Sequence, residues 1–200
     1  MLAVAYFFVY IVRTGVNDWT ALFLLETKGY NQLESNGFVS MFEIGGFFGN
    51  LCAGWSSDHL FDAKRGPVNI LFSIGMLIAL GAFWFVPPGY PVFDTCSMFL
   101  IGFMVFGPQM MIGMAAAELS HKKAAATSTG FIGCFAYVGA AAAGYPLGKI
   151  TQELGWNAYF ICLLTCSILA VFCLIPLWSV KENKRSRAAK SPPDQAPLKA

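Results

Sequence analysis

Long apolar runs alternate with short polar breaks along this chain, and the length of the runs is informative. A helix rising about 1.5 Å per residue needs close to 20 apolar residues to cross roughly 30 Å of hydrocarbon. Six runs of about that length follow one another, roughly 2–25, 37–55, 68–87, 92–117, 125–148 and 157–179. The segments between them are brief and polar or turn-rich: ETKGYNQLES, SSDHLFDAKRG, PPGYP, ELSHKKAA and KITQELGW. The pattern predicts an all-α integral membrane protein, with one six-span domain over residues 1–180 and almost no soluble portion. Residues 181–200 (KENKRSRAAKSPPDQAPLKA) are basic, then rich in Pro and Ala. They are expected to form a disordered tail that touches anionic lipid heads.

Composition agrees with a membrane setting. Hydrophobic residues make up 56% and charged residues 12% of the chain, against roughly 25% charged in soluble domains, and the mean hydropathy is +0.59. Lys and Arg near span ends orient a bundle, because they are retained on the cytoplasmic side. With residue 1 inside, the inner segments hold Lys64, Arg65, Lys122, Lys123, Lys181, Lys184, Arg185, Arg187, Lys190 and Lys199, and the outer ones only Lys28 and Lys149. Both termini are therefore expected in the cytoplasm. The first span lacks a basic leader and carries Arg13 and Asp18, so a cleaved signal peptide is not expected. The six cysteines (52, 96, 134, 162, 166 and 173) lie in or beside apolar runs without metal-ligand spacing, and read as small packing residues.

Arg13 stands out, about twelve residues from either end of its run. A cation that deep costs about 2.5–3.5 kcal/mol on insertion scales, so such residues face a cavity or a partner. Tyr6, Tyr10, Arg13 and Asn17 are spaced four, three and four and share one helical face. That face offers hydroxyls, a guanidinium and an amide to a polar ligand. A planar guanidinium donates two parallel hydrogen bonds to a phosphate and stays charged at any relevant pH. The competing reading is that Arg13 pairs with a buried carboxylate such as Glu43 and only ties helices together. Glu43, early in the second run, needs a partner or a proton, and reads as a switchable partner of Arg13, a titrating site or a surface cap. Asp18 is interfacial in this reading and carries no assigned chemistry.

Small residues at 45, 46 and 49, and again over 139–144, suit close helix contact in lipid. Gly107-Pro108 interrupts the hydrogen-bond ladder of the fourth run. Tyr137 is a second candidate cavity hydroxyl, or a packing tyrosine bonded to a neighbouring helix. The only histidines, His59 and His121, belong to no nucleophile or metal-ligand arrangement, and no carboxylate cluster sits on a loop, which argues against a membrane enzyme. No cofactor, metal or nucleic-acid partner is expected.

Between the second and third runs stand Gly54-Trp-Ser-Ser-Asp58, Asp62, Lys64, Arg65 and Gly66. Asp58 and Arg65 can form a latch that holds one conformation. This loop resembles the G-x-x-x-D-x(n)-R-G loop of the major facilitator superfamily. The runs FFVYIVRTGVNDW (7–19), FEIGG…GWSSD (42–58), GFMVFGPQMMIGMAAAEL (102–119) and HKKAAATSTGFIGCFAYVGA (121–140) resemble its organophosphate:phosphate antiporter branch. That branch includes hexose-phosphate and glycerol-phosphate carriers and a glucose-6-phosphate sensor.

The resemblance implies the C-terminal six-helix half of a twelve-helix carrier in the cell (inner) membrane, exchanging a sugar phosphate for inorganic phosphate by alternating access. Arg13 would bind phosphate beside Tyr10, with Glu43 as the second helix's carboxylate and Tyr137 as the fifth helix's tyrosine. Lys122-Lys123 would sit at the inner mouth. The expected partner is an N-terminal six-helix half that supplies a second phosphate-binding arginine. Glucose-6-phosphate is the expected substrate, glycerol-3-phosphate the other option. A sensor without net transport and an inactive fragment are the alternatives.

Overall fold

The computed structural model describes residues 1–61, 64–120 and 124–178. The tail from 181 onward and the Lys122-Lys123 pair lie outside the described residues. Seven helices are present among the described ones: α1 (Leu2–Lys28), α2 (Gln32–His59), α3 (Arg65–Phe85), α4 (Pro91–Leu119), α5 (Ala125–Ala143), α6 (Tyr145–Leu154) and α7 (Trp156–Leu174). A 3-10 turn at Ile175–Leu177 follows. Helices α5 and α6 form one broken fifth span, interrupted where Gly144 leaves helical geometry and Pro146 brings no backbone N–H.

The helices are longer than the apolar runs. The expected loop at 26–35 shrinks to Gly29–Asn31, and KITQELGW becomes the end of α6 with only Gly155 outside a helix. The termini supply the reason. Gly29 closes α1 in the left-handed region (φ 73°), which glycine adopts without a Cβ penalty. Asn31 opens α2 through a capping box: its side chain accepts from the Glu34 amide, and the Glu34 carboxylate accepts from the Asn31 amide. Such caps satisfy the end groups of a helix, so polar residues can be absorbed into it beyond the hydrocarbon.

Four spans are long and apolar enough to cross a membrane by length and composition: α3, α4, α5 with α6, and α7 through Leu177. Helices α1 and α2 are as long but more polar. They are the helices that carry Arg13, Asn17, Asp18, Glu43 and Asn50.

Packing explains where those polar groups end up. Helix α4 packs on both α2 and α3, and α1 packs on both α5 and α7. The main core joins Val12, Val16 and Leu24 of α1 to Phe42 of α2, Leu80 and Phe83 of α3, Ile101 of α4 and Leu163 of α7. A second cluster, with Ala5, Val9, Ile70, Ile112 and Leu174, closes the end where α1 begins and α7 finishes. Lys64 and Arg65 make this the basic end of the bundle. Large apolar side chains remain exposed on outer faces, among them Phe47, Leu51, Ile78, Val92, Phe131 and Phe172. An apolar exterior of this extent is stable only against lipid or another chain.

The contact of α2 with α4 is backbone to backbone. A Cβ at Gly45 would run into the Phe99 carbonyl, one at Gly49 into the Phe103 carbonyl, and one at Gly102 into the Phe42 carbonyl. Small residues permit this approach, as lipid-embedded helices require. Gly45→Ala is expected to destabilise the bundle by about 1–3 kcal/mol. Gly37→Ala, on the same helix with nothing within 4 Å, should stabilise it by up to about 1 kcal/mol. Thermal unfolding in detergent micelles separates the two, and equal shifts would rule out the close contact as the cause.

The cysteines meet the packing expectation in part. Cys166 is buried, and Cys162 and Cys173 pack half-buried against the two cores, whereas Cys52, Cys96 and Cys134 are exposed on the bundle surface. A small, weakly polar thiol is tolerated on an exposed face, so apolar surroundings in sequence did not imply burial at these three.

Candidate functional site

Helix α1 presents Tyr6, Tyr10 and Arg13 in successive turns. The Tyr6 and Tyr10 rings meet edge to face, 4.8 Å between centroids. The Tyr10 hydroxyl accepts a hydrogen bond of 3.2 Å from Gln109 Nε2 of α4. The Tyr137 ring of α5 lies 6.2 Å from that of Tyr10 and is exposed. Arg13 lies one turn further along, with its Cζ 5.1 Å from the centre of the Phe106 ring of α4. An arginine held over an aromatic face gains electrostatic attraction while its N–H edge stays free.

Both readings of Arg13 meet in the geometry. Glu43 is the nearest carboxylate, with Arg13 Nη2 3.8 Å from Oε1. That separation is an ion pair but exceeds hydrogen-bond length. The Arg13 Nε–H is buried and unpartnered, although the side chain as a whole is 29% exposed and that of Glu43 48%. Glu43 therefore sits beside the guanidinium without saturating its five donors. Asn17 is not drawn into this group: its amide donates to the adjacent Asp18 carboxylate at 2.9 Å.

Sequence reasoning missed Phe106, Gln109 and Asn50. Phe106, Gln109 and Gly113 are spaced three and four, and Glu43 and Asn50 seven apart. This is the same one-face spacing that singled out the α1 residues, so an amide in an otherwise apolar run was the available signal.

At the basic end, Asp58 and Arg65 do pair, at 2.8 Å, and the structure adds a third member. Arg65 Nε and Nη2 donate to Glu118 of α4 at 3.2 and 3.0 Å, and Nη1 also reaches Ser57 Oγ at 2.9 Å. The two-pronged bond to Glu118 is the strong, planar form of the arginine–carboxylate contact. It ties α3 to α4, while Asp58 and Ser57 tie it to α2.

A second ionic cluster closes the opposite end. Lys28 of α1 donates to Asp94 of α4, with side chains 2% and 0% exposed. The Tyr30 hydroxyl donates to the other Asp94 oxygen at 2.8 Å. Lys28 Nζ also lies 4.7 Å from the centre of the Phe83 ring. Burial, then the hydrogen bond to Asp94 and its charge, push the Tyr30 phenol from 10.0 up to about 12. A raised folded value means that the neutral phenol contributes stability fully below pH 10, which is lost as the pH climbs toward 12. The gap in thermal midpoint between the parent and Tyr30→Phe should be constant up to pH 10 and shrink between pH 10 and 12. A gap that holds through pH 12 would contradict this. Among the described residues no group of His, Cys, Asp and Glu could hold a metal ion.

A twelve-helix carrier is built from two six-span bundles, and this bundle has the form of one. The chain belongs to the major facilitator superfamily, whose family model matches residues 1–145. Its fold superimposes on the xylose transporter XylE from Escherichia coli in a partially occluded inward-open conformation, with a TM-score of 0.73. That match covers 95% of this chain and 51% of the other at 17% identity. The chain is 55% identical over 94% of its length to the "Probable hexose phosphate transport protein" of Chlamydia pneumoniae. It is 46% identical over 93% to the "Membrane sensor protein UhpC" and 33% identical over 95% to the "Hexose-6-phosphate:phosphate antiporter", both of Escherichia coli. It spans about two fifths of the length of these relatives, 42% in each case.

Proposed function

We propose that this chain is one half of a secondary transporter that exchanges a hexose phosphate, glucose-6-phosphate first of all, for inorganic phosphate. The observation that carries the proposal is Arg13: a deep guanidinium with an unpartnered N–H, backed by an aromatic ring and held only loosely by Glu43. Phosphate takes the donors that Glu43 leaves free, and Tyr10 and Tyr137 border it. Glu43 neutralises Arg13 when no ligand is bound, so binding exchanges one anion for another. Asp58 and Arg65, joined by Glu118, form the latch of the basic end, which opens and closes as the halves rock about a midplane site. A six-helix N-terminal half supplies the other wall and a second cation for the phosphate. The basic end faces the cytoplasm, which places both termini there. No covalent step occurs.

The names of the relatives support the ligand class: hexose phosphate transport, and hexose-6-phosphate exchanged for phosphate. A sensing role is the second reading, favoured by the 46% identity to UhpC against 33% to the antiporter. The same site would then bind glucose-6-phosphate without net flux. The test is uptake of radiolabelled glucose-6-phosphate into phosphate-loaded proteoliposomes, with this chain alone and with a six-span N-terminal half. Uptake dependent on internal phosphate and on the second half is expected. Binding without uptake would favour the sensor, and neither would overturn both readings.

A further inference from the structure

Beside the Arg13 group, toward the basic end, lies an open cavity of about 410 Å³. Its walls include Tyr6 of α1, Asn50 of α2, Gln109, Met110 and Met114 of α4, and Thr129 of α5. None of its lining residues is charged. Asn50 Oδ1 and Gln109 Oε1 are both buried and accept no hydrogen bond. Nearly all buried polar atoms in folded proteins are paired, so two orphaned amide oxygens on one cavity wall indicate a missing donor.

The cavity is in register with Arg13 on three helices. Tyr6 stands seven residues before Arg13, Asn50 seven after Glu43, and Gln109 three after Phe106. At about 1.5 Å per residue, the backbone levels of Tyr6 and Asn50 lie about 10 Å along their helices from those of Arg13 and Glu43, which sets the length of the track. Gln109 links the two ends, because its Nε2 donates to Tyr10.

We infer that this cavity is a second subsite, which takes the neutral, hydroxyl-bearing part of a phosphorylated sugar whose phosphate is held at Arg13. Asn50 and Gln109 accept hydrogen bonds from sugar hydroxyls, Tyr6 and Thr129 exchange them, and the flexible thioethers of Met110 and Met114 cover the C–H face of the ring. The inference rests on the phosphate position in the proposed function and adds a length rule. A six-carbon ester spans the track, and a three-carbon ester anchored at Arg13 stops short of Asn50.

The test measures binding by calorimetry in lipid nanodiscs, using the native assembly that contains this chain. The probes are inorganic phosphate, glycerol-3-phosphate and glucose-6-phosphate. Asn50→Leu removes an acceptor. Gly113→Leu fills the cavity from a position where a Cβ meets no protein atom within 4 Å. Each is expected to weaken glucose-6-phosphate binding by about tenfold relative to inorganic phosphate, and Gly113→Leu to spare glycerol-3-phosphate. Parallel changes for all three ligands, or no change for any, would overturn the subsite. Wild-type selectivity that the variants abolish, in an assembly that shows no exchange in proteoliposomes, would sink transport and leave the subsite standing. Exchange with variants that bind like the wild type would do the reverse.

Discussion

Arg13→Ala is expected to lower phosphate exchange by at least a hundredfold, and Arg13→Lys to recover only a small part of the loss. The estimate comes from two hydrogen bonds to a charged ligand at about 1.5–3 kcal/mol each, with tenfold for every ~1.4 kcal/mol. Lysine keeps the charge but offers a compact ammonium in place of the planar fork. It also loses the guanidinium stacking over Phe106. The measurement is exchange of labelled phosphate in proteoliposomes containing both halves, with protein folding checked by thermal unfolding. Full activity of Arg13→Lys would mean that charge alone suffices. Full activity of Arg13→Ala would place the phosphate elsewhere. Glu43→Gln supplies the opposite sign: without its carboxylate partner, Arg13 should bind phosphate more tightly in the resting state.

The second large effect concerns stability. Lys28→Met leaves the Asp94 carboxylate fully buried with only Tyr30 as a partner, and breaking a buried pair from one side costs about 3–5 kcal/mol. Asp94→Leu should cost a similar amount by stranding Lys28. The double variant Lys28→Met/Asp94→Leu removes both charges from a site lined by Phe23 and Phe83, and is expected to unfold within about 1 kcal/mol of the parent or above it. Thermal unfolding of the three variants forms a closed cycle. Additive losses in the double variant would show that the cluster does not act as a unit.

The two clusters differ in how far they could be read in advance. Asp58 and Arg65 are joined by a short loop, so their pairing was legible from spacing. Glu118 is 53 residues from Arg65 and Asp94 is 66 from Lys28. Nothing local marks those carboxylates as partners of a cation on another helix. The Arg13 group shows the same limit: Tyr6, Tyr10 and Arg13 could be placed on one face by counting, but Gln109 and Phe106 reach them from α4 across the bundle. Asn17 had the right spacing too, and a neighbouring Asp18 captured its amide instead.

Boundaries were the weakest part of the reading, because apolar content marks where a helix is immersed rather than where it ends. Caps such as Asn31 with Glu34 carry helices through polar residues. For the same reason α1 and α2, the most polar of the long helices, needed their uninterrupted backbone to be seen as full-length members of the bundle.

The amino-acid sequence by itself determined the number of helical passages, their membrane setting and the presence of a cation deep in an apolar run. These follow from the lengths of apolar runs, the placement of Lys and Arg, and the cost of burying Arg13, all of which are local or additive along the chain. Only the tertiary structure decided which groups share a site: the loose Glu43 beside Arg13, the orphaned amides of Asn50 and Gln109, and the ion clusters at both ends. Those depend on helices that meet through glycine contacts at chosen heights, and a shift of one turn along a helix axis would give each polar group a different neighbour.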